Sequence, residues 1–332
     1  MKSKVAIVKA LPEQIHDTYA EVLALAGCLY PPSAEGSDYI VPQIIWNRYL
    51  PACGTTPWQL EGTVLALLSS QHSYKSIKVL YGTQGDSRVR TAYKHNVILH
   101  RFGLPVESLA HGLTSFIKPS RDSTASKPAS FFFLSTGVSH SLYYFGGAFW
   151  ATLKSLMESE GTFREDKTMT DGCRLYRQFD PLHHKCAFIL DTTVAGEGPG
   201  PFCMRPRFPG FIFASSDPIA LDTIFSLILG LDPLQTPLIK QAHDLHLGAT
   251  NSADIEVVGE KLRDVETHYR DWLIPIPGGP LASMERHALK KPYSIRGYLA
   301  RIARERLWYP MRSNRRILTF LHNEWGFLWQ CY

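Results

Sequence analysis

The stretch CAFILDTTVAGEGPGPFCMRPRFPGFIFASSDPIALD, Cys186 to Asp222, constrains the fold more than any other part of the chain. Its two apolar runs, CAFIL and GFIFAS, are short, rich in aromatic and branched residues and bounded by glycine or proline, as strands covered on both faces are. The second run leads straight into a helix start, so the segment calls for a sheet with helices laid over it. The same alternation recurs upstream. KVAIVKA is strand-like, and SIKVLYG and SFFFLST supply further strands. TTPWQLEGTVLALLSS opens with Thr56 as N-cap, Pro57 at the first helical position and Gln59 at the third, a capping-box pattern ahead of an apolar helix. TQGDSRVRTAYKHNVILHRFG gives a loop and a helix that Gly103 closes. Strands alternating with helices predict an α/β protein with a mostly parallel sheet and helices on both faces.

With 332 residues, of which 45% are hydrophobic and 20% charged, the chain can bury one large core or two modest ones. We expect a core domain over 1–269, with a surface loop or lobe boundary at the polar, proline-punctuated KPSRDSTASKPAS near 118–130. Lys9 interrupts the first apolar run and Asp222 the most hydrophobic window, so we expect no secretion signal, no membrane span and a cytoplasmic location. The six cysteines, at 28, 53, 173, 186, 203 and 331, form no C-x-x-C pair, which argues against a zinc ribbon or a ferredoxin-type cluster.

Charge is unevenly placed. Residues 286–316 hold ten Lys or Arg against one Glu, while the whole chain is only +5, so the remainder is net acidic. Within this tail, SIRGYLARIARERLWYP sets Ile295, Tyr298, Leu299 and Ile302 at helical spacing, with Arg296, Arg301 and Arg304 largely on other faces. Such a basic amphipathic helix can pack back on an acidic body, lie on a membrane surface, or touch nucleic acid. The tail lacks a nucleic-acid-binding motif, which weighs against the last. The extension 270–332 ends in FLHNEWGFLWQCY, whose aromatics predict helical docking against the core.

Two glycine loops bear on ligand binding. GTQGDSR at 82–88 follows a strand and precedes a helix, but it matches neither G-x-G-x-x-G nor a P-loop. AGEGPGP is followed by FCMRPRFPG, where Arg205 and Arg207 are candidates to clamp a carboxylate or phosphate.

Four carboxylates punctuate the apolar segment. Asp217, before Pro218, reads as the N-cap of SSDPIALDTIFSLILG. Asp222 is the sole charge in that helix, and a buried carboxylate needs a metal, a hydrogen bond or a cation to be tolerated. Asp191 ends a strand, where open parallel sheets bind ligands, and Glu197 lies among glycines that let the backbone approach one closely.

Taken in order, ILDTTVAGEGPGP, IFASSDPIALDTIFSLILGLDP, IKQAHDLHLGAT and DIEVVGE resemble the C-terminal half of the domain of unknown function family numbered 362. STGVSHSLYYFGGAFWATLKSLM is similar to that family's K-T-H…G-x-x-K-N region. His140 and Lys154 stand at its histidine and second lysine; the first lysine is absent and Ser155 replaces the asparagine. Some members carry an added iron–sulfur module, which we do not expect here because the cysteines form no C-x-x-C pair. The resemblance implies a fold and a site but no assigned chemistry.

Three functional readings follow. The first is an enzyme of small-molecule metabolism, in which Asp191, Glu197, Asp217 and Asp222 hold a divalent cation such as Mg, Mn or Fe while His140, Lys154 or Asp191 serves catalysis. The second is an iron–sulfur redox protein using scattered cysteines. The third is a non-catalytic, membrane-peripheral binding protein. The first requires convergence: Asp191, Glu197 and Asp217 gather on one sheet edge only if the strands bearing Asp191 and preceding Asp217 run parallel. We also expect Asp222 to be buried, within reach of loop 195–201 or of a basic side chain.

Overall fold

The computed structural model describes residues 2–31, 36–117, 129–179, 184–272 and 280–332. The lobe boundary expected near 118–130 therefore falls almost wholly outside the described residues.

The strands are β1 (Ser3–Lys9), β2 (Ser37–Pro42), β3 (Ile77–Tyr81), β4 (Val106–Ser108), β5 (Ala129–His140), β6 (Tyr144–Gly146), β7 (Lys185–Glu197), β8 (Arg205–Arg207), β9 (Phe211–Ser215) and β10 (Ile255–Gly259). All five runs read as strands from the sequence are present. They form one sheet in the order β10-β1-β9-β7-β5-β2-β3-β4, with β6 added to β5 and β8 to β7. Pairing is parallel from β7 through β5, β2 and β3 to β4, and between β1 and β10. β9 alone in the main path runs antiparallel to both of its neighbours.

The helices are α1 (Ile15–Leu25), α2 (Pro57–Ser69), α3 (Ser87–Ala92), α4 (His95–Phe102), α5 (Leu109–Ile117), α6 (Ala148–Ser159), α7 (Cys173–Phe179), α8 (Pro218–Ile228), α9 (Pro237–Asp244) and α10 (Leu262–Glu266). The extension adds α11 (Pro280–Lys290), α12 (Ile295–Ile302), α13 (Tyr309–Leu321) and α14 (Glu324–Cys331), with a π-helical turn at Ala303–Trp308 joining α12 to α13. Helices α1, α2 and α4 pack together on one side of the sheet, and α5 to α8 pack together on the other. With both faces covered, β5 is buried along its whole length.

The end signals behave as local chemistry dictates. Thr56 accepts from the Gln59 amide at 3.2 Å, Asp217 accepts from Ile219 and Ala220 at 2.9 and 3.1 Å, and Gly103 ends α4 at φ +60°. The loop at 82–88 is likewise an ordinary turn. Asp86 caps α3 through the Val89 amide at 2.9 Å, and Arg90 closes the loop onto the Gly85 carbonyl at 2.6 Å.

Aromatic contacts join the extension to the core. The Trp325 ring lies 5.5 Å from that of Trp58, Trp329 lies 4.8 Å from Tyr49, and Tyr309 donates to the Tyr49 carbonyl at 3.0 Å. Arg286 donates to the carbonyl of Ser141, just past β5, at 3.1 Å. The extension thus covers the end of the sheet where β2, β5 and β7 finish, which is the carboxyl edge of its parallel strands. Among the described residues no helix is long and apolar enough to cross a membrane.

Candidate functional site

The four carboxylates of the opening segment do not meet. β7 and β9 pair antiparallel, with Asp191 opposite Ile212 and Phe188 opposite Ser215. Asp217 therefore sits beyond the far end of that ladder from Asp191, roughly 16 Å away at strand rise. The parallel arrangement that a shared metal site required is absent. Among the described residues no three His, Cys, Asp or Glu side chains are grouped to hold a metal ion. The cysteines gather no cluster either, although five of the six are buried.

Each carboxylate instead has local partners. Asp191 is fully buried and accepts from Tyr19 Oη at 2.8 Å, Thr56 Oγ1 at 3.0 Å and the Thr193 amide at 2.6 Å. It ties α1 and the start of α2 to a large bulge in β7, where five steps along β7 answer two along β5. Burial raises its pKa, against the pull of those donors.

Asp222 is buried as expected, but its partner is neither loop 195–201 nor a basic side chain. Its two oxygens accept from the backbone amides of Ala148 and Phe149 at 2.8 and 3.0 Å, so a residue of α8 caps the N-terminus of α6. The approach is so close that a Cβ on Gly147 would lie 2.2 Å from Asp222 Oδ1. Burial pushes the Asp222 carboxyl up to about 7 despite these two amides.

Asp217 accepts from Ser3 Oγ and the Ala249 amide in addition to its cap bonds, at 2.9 and 3.0 Å. It lines an open cleft of about 560 Å³ with His243 and His246, but its own lone pairs are already used. Glu197 faces Arg205 at 3.2 Å and Arg207 at 3.7 Å across the β7–β8 hairpin, so these arginines have a carboxylate of this chain for a partner. Lys154 is buried on α6, paired with Glu158 one turn on, beside Gly82, Gln84 and Gly85.

His140 stands apart from all of these. It ends β5, fully buried, with its ring 4.7 Å from Tyr143 and 5.1 Å from Trp150. Its Nδ1 accepts from the Leu142 amide at 3.2 Å, which in the neutral ring leaves the proton on Nε2. Nε2 has no hydrogen-bond partner, and the nearest carboxylate oxygen is Glu165 Oε2 at 3.5 Å. Glu165 also takes a bond from Trp150 Nε1 at 3.3 Å.

Glu165 opens onto a pocket of about 270 Å³ between the core and the extension. Phe163, Phe202, Leu289 and Tyr293 give it an apolar wall, and Arg301 and Arg304 bring cations. Arg304 is buried, with Nη1 on Glu285 Oε2 at 3.1 Å and its guanidinium 4.0 Å above the Phe202 ring, while its Nε has no partner. Cys203 donates to the other Glu285 oxygen at 3.3 Å. Burial raises the Glu285 carboxyl, with Arg304 opposing. The loop after β7 lies against the end of β5: Ser139 Oγ donates to the Gly198 carbonyl at 2.8 Å and Ser141 Oγ to that of Gly200 at 2.7 Å.

None of the site residues expected from sequence lines this pocket; His140 comes nearest, buried behind Glu165 with Nε2 3.5 Å from its carboxylate. Glu165 sits in the polar run TFREDKT, which reads as a solvated loop, and nothing local distinguishes it. Arg304 lies one turn from Trp308, and both are buried, on the inward face of a helix whose apolar stripe at 295, 298, 299 and 302 lies elsewhere. Compared with protein-family models, with curated proteins and with solved structures, the chain gives no match.

Proposed function

We propose that this protein is a small-molecule enzyme whose ligand occupies the pocket between Glu165 and the extension. The observation that carries the reading is the pair formed by Glu165, a carboxylate lining the pocket, and His140, a fully buried imidazole behind it with an unpartnered Nε2 at 3.5 Å. A buried polar atom without a partner is costly and is tolerated where function uses it. The pocket also stands at the carboxyl edge of parallel strands, the usual place for ligands in such sheets.

The lining fits a ligand with an apolar body and an anionic group. The body meets Phe163, Phe202, Leu289 and Tyr293; the anion meets the guanidinium groups of Arg301 and Arg304. Glu165 is the proton acceptor for a hydroxyl, amine or acidic C–H of the ligand. His140, whose Nε2 lies 3.5 Å behind that carboxylate, is a positioning residue poised to donate to it. This retains the proton-transfer part of the expected chemistry and carries it on residues away from Asp191, Asp217 and Asp222. The resemblance to the domain of unknown function family numbered 362 rests on the quoted motifs and adds no reaction.

Mass spectrometry of molecules released from freshly purified protein, followed by thermal-shift titration with aromatic and aliphatic carboxylates, tests the reading. Wild type should be stabilised by at least one such compound, and Arg301→Ala should weaken its binding by about tenfold. No co-purifying molecule and no shift with any carboxylate would overturn it.

A further inference from the structure

The helical run from Ile295 to Leu321 has two apolar faces. The inner one holds Gly297, Ala300, Arg304, Trp308, Ser313 and Phe320, all buried against the core and the neighbouring helices. The outer one is open: Ile295 is 81% exposed, Tyr298 52%, Leu299 56%, Ile302 38%, Leu307 60% and Met311 72%. The basic amphipathic helix therefore does not turn its apolar stripe back onto the body.

Phase shows that these residues form one stripe. At about 3.6 residues per turn, Ile295, Tyr298, Leu299 and Ile302 share a side of α12, but an unbroken α-helix would rotate Leu307 off it. The π-helical turn at Ala303–Trp308 adds about one residue to that turn. Leu307 and Met311 then fall back into line with Ile302, and Leu318, 53% exposed, continues the row along α13. Tyr293, 82% exposed, stands at its start.

The surroundings of the stripe are cationic. Lys290, Lys291, Arg296, Arg306, Arg312 and Arg315 are exposed on the same segment, and Glu305 is the only acid between 286 and 316. Arg316, half-buried, has its pKa lowered by burial and by Arg205, Arg315 and Arg312 in turn, which marks how closely these cations crowd. Like charges held together around exposed apolar side chains are unfavourable in water and favourable against a surface that is apolar inside and anionic at its rim.

We propose that the outer face of the 295–321 helical run docks this protein on an anionic phospholipid bilayer. The helix lies in the plane of the interface, its apolar row entering the headgroup–acyl boundary while the arginines and lysines meet lipid phosphates and carboxylates. A protein groove is the poorer fit, because it would have to supply an equally long row of apolar contacts and a rim of acids. The docking holds whether or not the pocket at Glu165 takes a ligand.

The test is cosedimentation of the full chain with vesicles of phosphatidylcholine alone, or with about 30 mol% phosphatidylserine. Binding should be at least about tenfold tighter on the anionic vesicles and should weaken by a similar factor at high salt. The double variant I295E/L299E should lose at least about tenfold in affinity with an unchanged melting temperature, since both sites are exposed. R312E/R315E provides a second, chemically different variant and should lose binding to anionic vesicles selectively. Absence of binding by wild type, or equal binding by both variants, overturns the proposal. So does a stable dimer in solution that I295E/L299E dissociates, or tighter binding to duplex DNA than to vesicles.

Discussion

Asp191 and Asp222 in the core and Glu165 at the pocket are all shielded carboxylates, yet they are satisfied in opposite ways. Asp191 takes three protein donors and Asp222 takes two backbone amides at the start of a helix. Glu165 takes one indole N–H at 3.3 Å and stands 3.5 Å from an imidazole nitrogen that makes no hydrogen bond. A carboxylate whose lone pairs are met by fixed amides and hydroxyls organises the fold and has little left for a ligand. One left half-met beside a cavity has acceptor capacity to spare. Burial alone, which made Asp222 conspicuous in the sequence, does not separate the two cases; the count of donors does.

Removing Asp191 should cost the fold most. Asp191→Ala strands Tyr19, Thr56 and the Thr193 amide in the interior, and we expect a loss of about 3–5 kcal/mol in denaturant unfolding. Ligand binding at the Glu165 pocket should survive wherever the variant remains folded. A loss below about 1 kcal/mol would show that water reaches these donors and that the site is not closed.

Asp222 gives a pH signature of the same kind. Its folded pKa of about 7 stands above the 3.8 of a free carboxyl, so the folded chain keeps a proton that the unfolded chain releases. The stability from this group is present in full below about pH 4 and is lost as pH rises through about 7, a change on the order of 4 kcal/mol. Melting curves of wild type and Asp222→Asn compared from pH 5 to 8 should show the wild type falling relative to the variant as pH rises. Parallel curves would mean that the two amides of α6 hold the carboxylate charged throughout.

Glu165→Gln sharpens the other side. The amide preserves the bond from Trp150, so stability should change by less than about 1 kcal/mol. Activity should drop by at least a hundredfold if Glu165 moves a proton. Arg205→Ala is expected to have the smallest effect, no more than about 0.5 kcal/mol, because its pairing with Glu197 is half exposed and screened by water. Urea titration at low and high salt would reveal any larger contribution.

Much of the fold was legible because it rests on local chemistry. Apolar runs bounded by glycine and proline mark β1, β3, β5, β7 and β9. Thr56 with Pro57 and Asp217 with Pro218 mark the helix starts, since a cap bonds to amides two or three residues along. The site was less legible. His140 was singled out, but Glu165, Glu285 and Arg304 come from a polar loop and a basic tail whose composition reads as solvated surface.

What the sequence determined by itself was therefore the set of elements, their caps, and the alternation that makes this an α/β protein with a docked helical extension. Tertiary structure decided the rest. The nine residues between Gly200 and Gly210 can return β9 in either direction, and only its place between β7 and β1 makes it antiparallel to both. That choice sends Asp217 to the opposite edge from Asp191. Packing of α8 on α6 gave Asp222 its partners, and docking of the extension set Arg304 inward and Ile295 outward. Periodicity records which residues share a side of an element, because that follows from the backbone repeat. What the side faces depends on contacts between segments distant in the chain, and no local repeat encodes it.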